Sequence, residues 1–187
     1  MDQELIAKLG PLGRLAGIWE GDKGDDTAPS ESRDTEQNKF RERMTFDPFG
    51  PVNNHEQELF GLRYSTTAWK IGSDSPFHEE LGYWLWDGAN KQAMRCFIVP
   101  RGVNVLAGGT VEDGADSFKL SAVAGSDTYG ICSNLFLDRE FKTVKYLLKV
   151  TIHSDQNFSY EEDTQIQIKG KPELFHHIDK NTLTKVS

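Results

Sequence analysis

From Phe40 onward the chain is a succession of short apolar or alternating runs cut by turn chemistry. The cuts fall at Phe46-Asp47-Pro48-Phe49-Gly50-Pro51, Gly72-Ser73-Asp74-Ser75-Pro76, Asp87-Gly88-Ala89-Asn90, Asp113-Gly114 and Gly125-Ser126-Asp127. Gly, Pro, Asn and Asp at such spacing predict successive antiparallel hairpins. Two runs alternate with period two: Tyr146, Leu148, Val150 and Ile152 share a face, as do Phe158, Tyr160, Ile166 and Ile168, with Glu161, Asp163, Gln165 and Gln167 opposite. Ser154-Asp155-Gln156-Asn157 joins these two runs into a long hairpin.

Before this, Leu5, Ile6, Leu9, Leu12 and Leu15 fall near helical spacing, interrupted by Gly10-Pro11. That predicts one short helix or two helical turns within residues 1–15, plugging one end of the strand assembly. Asp22 to Asn38 is polar and contains Gly24 and Pro29, which reads as a long exposed loop; its part from Thr27 to Asn38 is the candidate linker. Roughly ten strands without an intervening helix leave a sandwich or a barrel, and sequential hairpins favour closure because closure removes exposed edges. The expected fold is all-β: one domain over 1–187, a single closed antiparallel up-and-down barrel of about ten strands with a short N-terminal helix, lipocalin- and fatty-acid-binding-like.

Composition refines this. At 187 residues, 37% hydrophobic and 27% charged, the chain can bury a real core, and four tryptophans suggest a large apolar interior or a ligand cavity. A formal charge of −8 without a Lys/Arg run argues against nucleic acid. No basic start leads into a long apolar stretch and nowhere do about 18 apolar residues run together, so the expectation is a cytoplasmic protein without a membrane span. Cys96 and Cys132 lack metal-ligand spacing and are expected to be reduced, small core residues.

Several residues carry chemistry. His78 beside Glu79 and Glu80 has the make-up of a general base oriented by a carboxylate, or of a solvated strand end; no nucleophile or oxyanion-hole motif accompanies it. Polar side chains on apolar strands, Arg63, Tyr64, Trp69, Arg101 and Tyr129, are candidates to line a cavity. Leu62, Tyr64, Thr66 and Ala68 share one face and Gly61, Arg63, Ser65, Thr67 and Trp69 the other, with the inner face undecided. An arginine inside a barrel needs an acidic partner or an anionic ligand, so Arg63 or Arg101 either meets a ligand carboxylate or sits in a rim ion pair. His176 and His177 are adjacent, so alternation turns at most one inward; His177 is preferred.

Three segments occur in one order: Gly17-Ile18-Trp19-Glu20-Gly21-Asp22-Lys23-Gly24, Phe77-His78-Glu79-Glu80-Leu81-Gly82-Tyr83-Trp84, and Phe175-His176-His177 followed by Thr182-Leu183-Thr184-Lys185-Val186. Together they resemble the nitrobindin-type haem-binding β-barrel family, over roughly Leu12 to Val186. The family pattern places a third glycine two residues after Gly21, whereas here Gly24 comes three residues after it, and the spacing from the histidine pair to Thr182 is longer than the pattern. The resemblance implies haem b held by His177, or His176, as axial iron ligand, with Gly17, Trp19 and Gly21 shaping the closed end, and His78 near the rim. It also implies chemistry on nitrogen oxides: binding nitric oxide and isomerising peroxynitrite to nitrate. An Arg63 or Arg101 facing inward would then meet a haem propionate. The alternative is a metal-free, lipocalin-like carrier of a small apolar or fatty-acid-like ligand; an acid/base enzyme centred on His78 and Glu79 ranks behind both. Either of the first two takes a small-molecule partner, and the oligomeric state stays open, a homodimer included.

Overall fold

The computed structural model describes residues 2–187. Gln3–Lys8 form helix α1, started by the Asp2 carboxylate, which accepts from the backbone N–H of Glu4 at 3.0 Å and of Leu5 at 3.4 Å. A 3-10 helix, Gly10–Leu15, comes next with Pro11 in its first turn, where the missing N–H costs nothing. Leu9, Leu12 and Leu15 are fully buried in one core cluster with Trp19, Trp86, Phe158 and Leu183. These two helical pieces close one end of the molecule.

Eleven strands build the wall: β1 (Gly17–Pro29), β2 (Thr35–Asn53), β3 (Glu58–Lys70), β4 (His78–Asp87), β5 (Gln92–Val99), β6 (Val103–Thr110), β7 (Ser117–Ala124), β8 (Gly130–Ser133), β9 (Phe141–Ser154), β10 (Asn157–Ile168) and β11 (Phe175–Lys185). They close in the order β1-β11-β10-β9-β7-β8-β6-β5-β4-β3-β2, so the expected closed barrel is present. The meander is interrupted once: β8 pairs antiparallel with β6 and, over two residues, parallel with β7. A short helix, α2 (Leu135–Glu140), capped by Asn134, then leads into β9 beside the open end.

The segment read as a long loop, Asp22 to Asn38, is instead mostly strand. β1 and β2 pair from Gly24↔Phe40 out to Pro29↔Thr35, leaving only residues 30–34 as the turn. Its polarity misled because each strand here turns one face to solvent while the other carries Asp26, Glu36, Asn38 and Glu42 into the cavity. The extra residue before Gly24 is absorbed as a bulge: Gly21 faces Glu42, but Gly24 faces Phe40, so three steps on β1 match two on β2. Trp19, Gly24 and Asp26 therefore all face inward. Both bulge glycines are forced by close approach: a Cβ on Gly21 would lie 2.7 Å from Asn181 Nδ2, and one on Gly24 would lie 2.5 Å from the Phe40 ring.

Both cysteines are free, but neither lies in the core. Cys96 is half-buried and Cys132 exposed, because each alternates out of phase with the inward residues Arg95 and Ile131. Among the described residues no helix is long and apolar enough to cross a membrane.

Candidate functional site

Opposite the helical plug the barrel encloses a cavity of about 530 Å³. Its walls carry Phe40, Met44, Phe97, Val99, Val105 and Ile166, and its mouth carries Phe77, Arg101, Phe136 and Phe141. Inward alternation brings polar residues into the same space: Asp179 and His177 share the inward face of β11 with Leu183 and Asn181, and Glu80 and His78 precede Trp84 on β4.

The floor is organised by Arg95, whose side chain is 2% exposed. Nη2 donates to Glu80 Oε2 at 2.5 Å and to the Tyr64 hydroxyl at 2.8 Å, and Nη1 donates to Glu162 and to the Tyr146 hydroxyl. The guanidinium carbon stands 4.3 Å from the centroid of Phe97 and 5.0 Å from that of Tyr64. Burial alone would raise the Glu80 carboxyl, but Arg95, His78 and Tyr64 outweigh it and hold it at about 2. Burial prevails at Glu162, whose carboxyl is raised despite Arg95. One donor, Arg95 Nε–H, is buried without a partner, as is Trp84 Nε1–H.

A second buried group lies beside it. Glu42 accepts from the Tyr160 hydroxyl at 2.9 Å and from Asn181 Nδ2 at 2.8 Å. Burial pushes its carboxyl up to about 8, against the two donors.

The mouth holds the two inward histidines. His177 Nε2 is 2.9 Å from Asp26 Oδ1 and 3.2 Å from Asp179 Oδ2, and Asn38 Nδ2 donates to the other Asp26 oxygen at 2.8 Å. Burial works against the imidazolium, yet the hydrogen bond to Asp26 and the charge of Asp179 raise the pKa of His177. Burial raises Asp179 to about 7, Asp26 and Glu162 pushing the same way against His177. His78 Nε2 is 3.1 Å from Glu80 Oε1; burial opposes its charge, but Glu80 brings its pKa up to about 9.

The sequence candidates divide cleanly. Tyr64, His78 and Arg101 line the cavity. Arg63 and Trp69 do not: Arg63 pairs with Asp47 on the outer surface over the Phe49 ring, and Trp69 lies outside under the Arg41 guanidinium. His78 starts β4 with its side chain 37% exposed, and its carboxylate is Glu80, not Glu79, because only residues two apart share a face. His176 points out, 54% exposed and paired with Asp163, whereas His177 is 28% exposed and lines the cavity. Trp19 is fully buried at the closed end, its Nε1 donating to Leu15 O at 2.7 Å, and Gly17 begins β1 there opposite Phe46.

Sequence reasoning missed Arg95, Glu162, Glu42, Asp26 and Asp179. The signal was available for the first three: Arg95 is in phase with Ala93, Phe97 and Val99, Glu162 with Tyr160 and Ile166, and Glu42 with Phe40, Met44 and Phe46. Asp26 was hidden by the bulge.

Residues 8–185 match the model of the THAP4-like, heme-binding beta-barrel domain. The chain belongs to that family. Proteins named peroxynitrite isomerase from Leifsonia xyli subsp. xyli (strain CTCB07) and from Clavibacter sepedonicus are each 37% identical to this chain over 82 residues. That match covers 43% of this chain and 36% of each relative, so the chain matches about a third of those proteins' length. The crystal structure of Rv2717c from M. tuberculosis superposes with a TM-score of 0.66 over 94% of this chain and 95% of that one, at 19% identity, a likeness of fold.

The family is haem-binding, so this member is a barrel built for a small-molecule ligand, and its residues can be tested against haem. Haem asks for an imidazole nitrogen and an apolar slot. His177 presents an imidazole to an open cavity with aromatic and aliphatic walls, and Arg101 stands at the mouth where carboxylates would emerge. The residues fit on one condition: Nε2 of His177, now held by Asp26 and Asp179, must be released to iron.

Proposed function

We propose that this barrel binds haem b through its open end, with His177 as the axial ligand, and serves nitrogen-oxide chemistry. The observation that carries this reading is the direction of His177 into the cavity from the last strand, while His176 faces solvent. Bound haem iron would supply the site for binding nitric oxide and for isomerising peroxynitrite to nitrate; the bacterial relatives are named peroxynitrite isomerases.

The chain's own residues do the rest. His177 Nε2 would hold the iron, and Asp179, 3.2 Å away and raised by burial to about 7, would take the proton that this nitrogen gives up. Phe40, Phe97, Val99 and Ile166 line the cavity and would keep water from the bound group. Tyr64, Tyr146, Glu80 and Glu162 hold Arg95 in place as the floor of the cavity. The net charge of −8 speaks against nucleic acid as a partner, and we place the protein in the cytoplasm, off the membrane, with self-association left to measurement. Haemin titration of the purified protein tests the reading: a saturable Soret shift that His177→Ala abolishes and His176→Ala preserves.

One observation favours a second reading, a metal-free carrier: Arg95 is already neutralised by Glu80 and Glu162, so the cavity suits an apolar ligand without a carboxylate. A saturable apolar probe in a protein that ignores haemin would select it.

A further inference from the structure

We infer that Asp26, His177 and Asp179 form a mononuclear site for a first-row divalent cation such as Zn²⁺, an alternative to haem at the same nitrogen. The three donors stand at ligand spacing. One ligand atom of each residue lies within 4.8 Å of the others, and His177 Nε2 is 2.9 Å from Asp26 Oδ1 and 3.2 Å from Asp179 Oδ2. Zinc bonds to nitrogen and carboxylate oxygen are about 2.0–2.2 Å, so donors at two corners of a tetrahedron stand roughly 3.3–3.5 Å apart. Around His177 Nε2 the two carboxylate oxygens need to move out by only a few tenths of an ångström to admit the ion. Its fourth side faces the cavity, leaving a position for water or a small ligand.

Two further features belong to a cation site. Asn38 donates to the Asp26 oxygen that does not face His177, the kind of outer hydrogen bond that orients a ligating carboxylate. The two carboxylates also lack a fixed counter-charge: among the described residues, their only ion-pair partner is His177 itself. Arg95, the buried arginine of the cavity floor, is paired with Glu80 and Glu162. An imidazole with two carboxylates suits zinc, cobalt(II) or iron(II) better than calcium or magnesium, which prefer oxygen alone. Nothing here requires that haem bind; the two occupants compete for one nitrogen.

The test is a Co²⁺ titration of chelator-treated, full-length protein by visible absorption, repeated with Zn²⁺ by calorimetry. One equivalent should bind saturably, with the intense ligand-field bands of a low-coordinate site, and should raise the melting temperature. His177→Gln, Asp26→Asn and Asp179→Asn should each weaken binding at least about tenfold, Asn38→Ala about 10- to 100-fold, and His176→Ala should leave it unchanged. Absence of saturable binding and of thermal stabilisation in the parent would overturn the inference, whatever the variants do. Equal binding by parent and His177→Gln would overturn it as well. Co²⁺ binding without haemin binding would support this site against the haem reading; haemin binding with no Co²⁺ site would do the reverse. If both bind, preloading with Zn²⁺ must slow or block haemin, and independent binding would contradict a shared nitrogen.

Discussion

His177 Nε2 lies 2.9 Å from Asp26 Oδ1, although the two are not register partners: Asp26 stands opposite Asp179 across β1 and β11, so His177 reaches it on the diagonal. Diagonal neighbours on one face of an antiparallel pair lie within side-chain reach. Both must therefore face inward, and on β1 the bulge decides this. Strict alternation from Trp19 would turn Asp25 inward; the extra residue between Gly21 and Gly24 turns Asp26 instead. The departure from the family's glycine spacing is thus the feature that sets the acid beside the histidine.

Arg95 is predicted to hold the floor together. Arg95→Met would strand Glu80 and Glu162 in the interior, a loss of about 3–5 kcal/mol expected when one partner of a buried ion pair is removed. Urea denaturation would measure it. Adding Glu80→Gln and Glu162→Gln to the same chain should recover most of the loss, because the stranded charges are then gone; no recovery would mean that packing of the guanidinium on Phe97 and Tyr64 was the larger contribution.

Glu42 predicts a pH dependence with a definite sign. Its carboxyl is pushed up to about 8 in the fold against 4.5 for an ordinary glutamate. Between those values the native state holds a proton that the unfolded chain has released, so this stabilisation is complete below about pH 4.5 and is lost as pH rises through about 8. The slope is at most about 1.4 kcal/mol per pH unit. Glu42→Gln removes it, so the variant's stability relative to the parent should improve steadily from about pH 5 to pH 8. Parallel stability curves would show that Glu42 titrates normally.

Two tryptophans separate core from surface. Trp19→Ala empties a fully buried site packed edge-on against Phe158 at 4.8 Å, with an expected cost of about 3–5 kcal/mol. Trp69→Ala loses only an outer contact with Arg41, with an expected cost within about 1 kcal/mol. Thermal unfolding of both variants compares them directly.

Legibility in the sequence varied from strand to strand for physical reasons. The hairpin of β9 and β10 was legible because Tyr146 to Ile152 and Phe158 to Ile168 alternate under a simple rule, and the plug because Leu9, Leu12 and Leu15 repeat at helical spacing. β1 was not legible past Gly21: its inward face carries Asp26 rather than an apolar residue, and its phase changes at the bulge. Without a fixed inner face, Arg63 and Arg101 were equal candidates for an inward arginine; Arg101 lines the cavity and Arg63 does not. Arg95 shares its face with Ala93, Phe97 and Val99, and that pattern becomes decisive only when β4 and β5 are paired as Trp84 against Arg95. Of the histidine pair, alternation alone limits the inward members to one; contact with Asp26 identifies it.

The central claim, that His177 is the haem ligand of this barrel, is tested most directly by titrating haemin into the parent protein and into His177→Ala and His176→Ala. A saturable Soret shift at one equivalent is expected in the parent and in His176→Ala, and none in His177→Ala with its fold intact by circular dichroism. A shift preserved in His177→Ala, or absent from the parent, would contradict it.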